Sequence, residues 1–165
     1  MKKPCFILAS ASPRRAEILR ALGIKFVTIK TETDETVLDG ESPISHVRRL
    51  AREKATSGFK ILPTHSKLFI GADTIVLRGK QILGKPSTPQ DAIKMLQLLS
   101  GKSHRVLTGV ALLDGSTARM ASGVEATQVI FRKLSQEEIT EYVLTGEPMD
   151  KAGGGRQPRR TTLTW

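Results

Sequence analysis

Ser10, Ser12, Arg14 and Arg15 stand close together, where the apolar run Cys5–Ala9 stops and Pro13 opens a helix. Two arginines at a helix N-terminus oppose the macrodipole, so they cost free energy unless an anion meets them. A strand, a small-residue turn and a helix start also present unpaired backbone N–H groups in one place, the anatomy of an anion site. The serine hydroxyls add donors, and the guanidiniums are forks that match phosphate oxygens. The plainer alternative is a Ser-Pro helix cap followed by two solvated arginines. Pattern alone leaves both open.

Asp73 follows the apolar stretch of "LFIGAD". A carboxylate at the end of such a strand stands where ligands bind in α/β folds, and Gly71 lets the backbone be approached closely. It reads as a metal ligand or a base, against an Asp that merely starts a turn; "TIVL" continuing the strand weighs against the turn. Asp34 and Glu35 lie in the acidic loop "TETDETVLDGES", Lys54 in "AREKA", and Lys85 in the rigid turn "GKP". Each is a weak signal alone, and a lysine on a helix reads first as a solvated charge. Together they are what phosphoryl transfer requires: acids to hold a divalent ion and cations to neutralise charge growing on phosphate oxygens. His46, His65 and His104 show no metal-ligand spacing and read as surface or hydrogen-bonded residues. Cys5, the single cysteine, reads as core rather than as a nucleophile.

The elements that must position these residues follow from periodicity and punctuation. Cys5–Ala9 reads as a buried strand and Pro13–Leu22 as a helix, with Pro13 in the first turn and Gly23 as the stop. Phe26–Ile29 is a second strand. Ser42 caps a helix running to about Ser57, with Ile44, Val47, Leu50, Ala51 and Ala55 on one face. Leu68–Ala72 is a third strand, ending in Asp73 and Thr74, and "IVLRGKQIL" is a hairpin turning at Gly79-Lys80. Thr88 caps the helix of "PQDAIKMLQLL", Arg105–Leu113 and Val124–Phe131 are neighbouring strands, and Ser135 caps a last helix to Leu144. Strands and helices in this order predict an α/β fold: a mixed twisted sheet with flanking helices.

At 165 residues the chain has the length of one domain with a real core. Its longest apolar runs fall well short of the ~18 residues that span a membrane. The N-terminal apolar stretch is too short for a signal peptide, so the expectation is cytoplasmic. A net charge of +10 invites a nucleic-acid partner, but Lys151, Arg156, Arg159 and Arg160 crowd into an end with no acid after Asp150. Aromatics make up only 4%, with no basic–aromatic alternation for stacking bases, so nucleic acid is disfavoured. A positive field suits a free nucleotide equally well.

"LASASPRRAEILRALG", "RLAREKA", "GADTIVL", "GKPSTPQDAIKMLQLLSG" and "GEPMDKAG", in this order, resemble the Maf family of nucleoside triphosphate pyrophosphatases, from about residue 5 to residue 153. Pairing of the Ser-Pro-Arg-Arg block with Gly-Ala-Asp-Thr and the last block looks like the branch acting on dTTP and UTP. The resemblance implies a Maf or inosine triphosphate pyrophosphatase-like fold and water attack at the α-phosphorus, giving a nucleoside monophosphate and pyrophosphate. It implies Asp73 as the catalytic proton acceptor, with Glu35 beside it at a site for Mg²⁺ or Mn²⁺. It implies Ser10, Arg14, Lys54 and Lys85 on the triphosphate, with Ser12 and Arg15 in the same turn. Arg14 and Thr74 would help choose the base. A nucleoside triphosphate is the expected partner, no membrane is, and a homodimer is left open.

After "MDKAG" the family pattern continues with an Ala-Tyr-Gly-Ile-Gln-Gly-like segment and further strands, whereas this chain reads "GGRQPRRTTLTW". The expectation is therefore a Maf-like domain over residues 1–153, incomplete at its C-terminus with the last strands missing. Residues 154–165 would be a divergent basic tail from a truncated or frameshifted end. Two competing readings stand beside the enzyme: a catalytically impaired nucleotide- or nucleic-acid-binding remnant, and an incomplete chain that folds poorly.

Overall fold

A computed structural model describes residues 5–155, apart from the Cys5 side chain. The expectation of Cys5 as core, and most of the expectation for the tail, therefore lie outside the described residues. Within them run β1 (Cys5–Ala9), α1 (Pro13–Ala21), β2 (Phe26–Ile29), α2 (Pro43–Ile61), β3 (Lys67–Arg78), β4 (Gln81–Leu83), α3 (Pro89–Leu99), β5 (Ser103–Asp114), β6 (Met120–Ile130) and α4 (Gln136–Leu144). Two 3₁₀ turns follow, Glu147–Asp150 and Ala152–Gly154. The strands pair in the order β2-β1-β3-β5-β6, with β4 on β3. β1 is parallel to both β2 and β3, whereas β3 and β4 are antiparallel, so the sheet is mixed as expected.

The chain divides into two compact units. The first holds residues 1–73 and 108–124; the second holds 74–107 and 125–165. In the first unit α2 lies over Ile7, Phe69, Ala111 and Leu113, which it covers with Ala51 and Ala55. Phe69 is fully buried, worth roughly 1.5–3 kcal/mol against leaving it exposed. Small residues let the helix come this close. A Cβ on Gly71 would overlap the Ala51 carbonyl oxygen, and one on Gly109 would overlap that of Val47. Ser42 starts α2 by accepting from the Ser45 N–H at 3.1 Å, and the helix runs on to Ile61, beyond the expected stop. Gly58 continues the contact rather than ending it: its Cβ position lies 2.9 Å from the Ala9 Cβ.

The second unit packs Val76, Leu83, Leu99, Val106 and Val129 into one cluster, and Ala92, Leu96, Ile139 and Val143 into another. α4 opens with a reciprocal capping box between Ser135 and Glu138. Gly153 has φ +68 and donates its N–H to the Gly84 carbonyl at 2.8 Å. Its Cβ position is 3.0 Å from Val76, so the motif's last glycines fit a tight space. His104 departs from the sequence reading. It is buried edge-on against Phe131, ring centroids 4.9 Å apart, and its Nδ1 has no hydrogen-bond partner among the described residues.

Two predictions follow from this packing. Gly71→Ala should destabilise the chain by about 3 kcal/mol, because the methyl meets helix backbone rather than a flexible side chain. A denaturant midpoint unchanged from the parent would show that α2 can retreat freely. The second concerns His104, whose pKa is held below its ordinary 6.5 by burial and, secondarily, by Arg78. The unfolded chain then takes up this proton first as pH falls, so stability is present at neutral pH and drains away below about 6.5. Thermal midpoints of the parent should drop more steeply from roughly pH 7 to 5 than those of His104→Leu. Parallel curves would remove His104 as the cause.

Candidate active site

The first unit collects most of the predicted residues around one lysine. Lys54 leaves the face of α2 that meets the sheet, and its side chain is only 11% exposed. Its Nζ donates to Asp73 Oδ1 at 2.6 Å and to Glu35 Oε1 at 2.8 Å. Asp73 is itself buried, whereas Glu35 is exposed. An isolated ion here would be costly to desolvate, and the shared ammonium offsets that cost for Asp73. Lys54 is therefore no solvated surface charge. Nor does Asp73 close a strand: β3 runs on to Arg78, so the carboxylate projects from mid-strand onto the face that Gly71 also presents.

The β1–α1 turn supplies the second half of the cluster. Ser10 is buried at the end of β1, and its Oγ accepts from the Ser12 N–H at 3.2 Å and from Arg15 Nη1 at 3.0 Å. Ser12 stands at the N-cap, but its side chain makes no capping bond, so the plain Ser-cap alternative does not describe this turn. Arg15 is half-buried and Arg14 exposed. Burial lowers the Arg15 pKa from its ordinary value, while the nearby Asp73 and Glu35 carboxylates act in the opposite direction.

Thr74 and Lys85 belong to the second unit. Thr74 follows Asp73 in β3 and so faces the other side of the strand. Lys85 is exposed in the connection between β4 and α3. Asp34 turns inward on its own loop, accepting from the Thr36 N–H and hydroxyl, bonds that hold its pKa below the usual carboxylate range. A groove of about 630 Å³ lies on a different face of α2, lined by Arg48, Arg49, Arg52, Thr56 and Lys60 among others.

A second set of partners escaped the sequence reading. Arg49 reaches Glu41 through Nε at 2.7 Å and Nη2 at 2.9 Å, and the Thr36 carbonyl through Nη2 at 2.9 Å. His46 Nδ1 lies 3.0 Å from Glu41 Oε2. Arg49 holds the Glu41 carboxyl well down, to about 2. The available signal was Arg49 one turn from Glu53 and an acid just before the Ser42 cap, neither distinctive.

Asp73 and Glu35 are hard oxygen donors bonded to one ammonium, a donor type that suits Mg²⁺ or Mn²⁺ rather than a soft metal. No group of three or more His, Cys, Asp or Glu among the described residues could hold an ion alone. Such an ion would need further oxygens, as phosphates provide.

The fold and this cluster define an α/β protein with two carboxylates on a buried lysine beside an arginine-bearing turn. The family model described as Maf-like protein matches residues 5–159, and the chain belongs to that family. A dTTP/UTP pyrophosphatase of Shewanella denitrificans is 49% identical over 156 residues, covering 90% of this chain and 77% of that protein. Another, from Citrifermentans bemidjiense, is 46% identical over 155 residues, covering 93% and 78%. A solved nucleoside-triphosphatase / dITP/XTP pyrophosphatase from Mycobacterium abscessus superposes with a TM-score of 0.45 at 12% identity, covering 76% and 72%. No helix among the described residues is long and apolar enough to cross a membrane.

Lys54→Met should cost about 3–5 kcal/mol, because it leaves the Asp73 carboxylate buried without its cation. Adding Asp73→Leu in the same chain should recover most of that loss. Urea unfolding of the single and double variants makes the comparison, and equal losses in both would mean the ion pair is not what Lys54 contributes.

Proposed function

We propose that this chain hydrolyses dTTP and UTP to the nucleoside monophosphate and pyrophosphate, acting on the free nucleotides of the cytoplasm. The observation that carries the reading is the Lys54 ammonium shared by Asp73 and Glu35, with Arg15 close enough to respond to both carboxylates. Family membership and the relatives' names support the substrate class.

Asp73 accepts the proton of the attacking water. Lys54 fixes its orientation: with Oδ1 tied to Nζ at 2.6 Å, the other oxygen is the one left for the water. Ser10 orders the turn and aims Arg15, whose fork neutralises charge as it grows on the phosphate oxygens. Arg14 holds the triphosphate from the same turn and with Thr74 contributes to base choice. Lys54 and Lys85 add positive charge for the triphosphate, and Ser12 a hydroxyl. Asp73 and Glu35 would hold a divalent cation, Mg²⁺ or Mn²⁺, that supplies Lewis-acid polarisation when bound. We read residues 1–153 as the catalytic domain and 154–165 as a divergent basic tail.

The test is release of monophosphate and pyrophosphate from a nucleotide panel with and without Mg²⁺ or Mn²⁺. Turnover should be greatest on dTTP and UTP, and Asp73→Asn should lose more than ~10²-fold, since an amide cannot take the proton. Its folded state should survive, because the amide oxygen still accepts from Lys54. No hydrolysis of any triphosphate by the parent would sink the reading, and near-parental turnover by Asp73→Asn would move the proton acceptor elsewhere.

A further inference from the structure

We infer that Arg49 is a positioning residue that fastens the Glu35-bearing loop to α2 and so sets the charge beside Lys54 and Asp73; the inference rests on the hydrolytic reading above. The chain from Lys30 to Ser42 contains no helix or strand. It is polar and exposed over most of its length, including Val37 and Leu38, so little apolar burial holds it in place. A loop so poor in packing opens at small cost unless polar contacts fix it.

Contacts that fix it converge on α2 at two heights. Farther along the helix, Lys54 holds Glu35 at 2.8 Å. Nearer its start, Arg49 donates to the Thr36 carbonyl, the residue directly after Glu35, and to both oxygens of Glu41. Glu41 in turn accepts from the Leu38 N–H at 3.2 Å and lies against His46 at 3.0 Å. Arg49 thus ties both ends of the segment 36–41 to one helix, while Glu53 steadies its guanidinium from the next turn. A planar five-donor fork can serve two carboxylates and a carbonyl at once; a lysine cannot.

The consequence for the reaction is electrostatic. With Glu35 in place a second carboxylate stands beside Asp73 against the Lys54 and Arg15 cations, and the pair of acids draws a divalent cation. With the loop released, Lys54 and Asp73 neutralise each other and that attraction is lost. Arg49 bonds to Glu41, Glu53, His46 and the Thr36 carbonyl rather than to Asp73, Lys54 or Ser10, so its action runs through backbone placement and not through direct contact with the cluster.

Kinetics of Arg49→Ala, Arg49→Lys and the control Arg52→Ala, combined with amide hydrogen exchange, test this. Arg52 lies on the same helix and reaches Ser122 at 3.4 Å instead of the loop. Arg49→Ala should lower kcat ~10- to 100-fold with KM for the nucleotide within about threefold, the pattern of a displaced group rather than lost substrate contact. Exchange should quicken over residues 31–41 and not in β3. Arg49→Lys should restore only part of kcat, and Arg52→Ala should match the parent. A merely structural role would instead speed exchange throughout the first unit and leave kcat per folded molecule unchanged, which overturns the inference. So does parental kcat in Arg49→Ala, or unchanged exchange over 31–41. If the parent itself hydrolyses nothing, the functional reading fails and the exchange data alone decide whether Arg49 holds the loop.

Discussion

The close approach of α2 to the sheet is the constraint on which the site depends. Lys54 can reach Asp73 at 2.6 Å only because the helix backbone lies against Gly71 and Gly109 with no side chain between. Val47, Leu50, Ala51 and Ala55 seal that contact with apolar atoms, with Lys54 and Asp73 buried alongside them. Within the seal a lysine without a carboxylate, or the reverse, would be an unpaired buried charge. Packing and charge therefore specify one another: the small residues set the depth at which the pair sits, and the pair fixes the rotation of the helix over the strand.

Much of this was legible in the sequence. Helix starts announced themselves through Ser42, Thr88 and Ser135, each of which does accept a cap bond. The hairpin at Gly79-Lys80 and the strands on either side were legible from apolar runs between turn residues. Two misreadings have a common origin. The helix expected to about Ser57 runs on to Ile61, and Asp73, expected at a strand end, lies within β3. Both are explained by tertiary contact: Gly58 packs on Ala9, and Asp73 is paired by a lysine from another element. Periodicity carries no information about a partner nineteen residues away.

The same limit applies to the site. Lys54 read as a solvated charge because nothing local distinguishes it from Arg52 or Lys60, which are exposed on the same helix. Its role came through the family resemblance, and the structure supplies the reason: it lies on the seam of α2 that faces the sheet. Arg49 carried neither a motif nor a periodic signal, since its partners Thr36 and Glu41 lie in a loop whose course no pattern predicts. His104 was misjudged as surface or satisfied because a lone histidine in an alternating strand can face either side.

The arginines of the β1–α1 turn gain a physical account from these contacts. A triphosphate is strongly anionic, and Asp73 with Glu35 would repel it were the two carboxylates the whole site. Lys54 cancels one of them. Arg15, bonded to Ser10, lies in the field of both carboxylates and offsets part of the remaining charge. Its burial matters as much as its charge, because an ionic contact strengthens as water leaves. The dipole penalty at the start of α1 is thus met partly by the carboxylates of neighbouring elements, even with no phosphate bound.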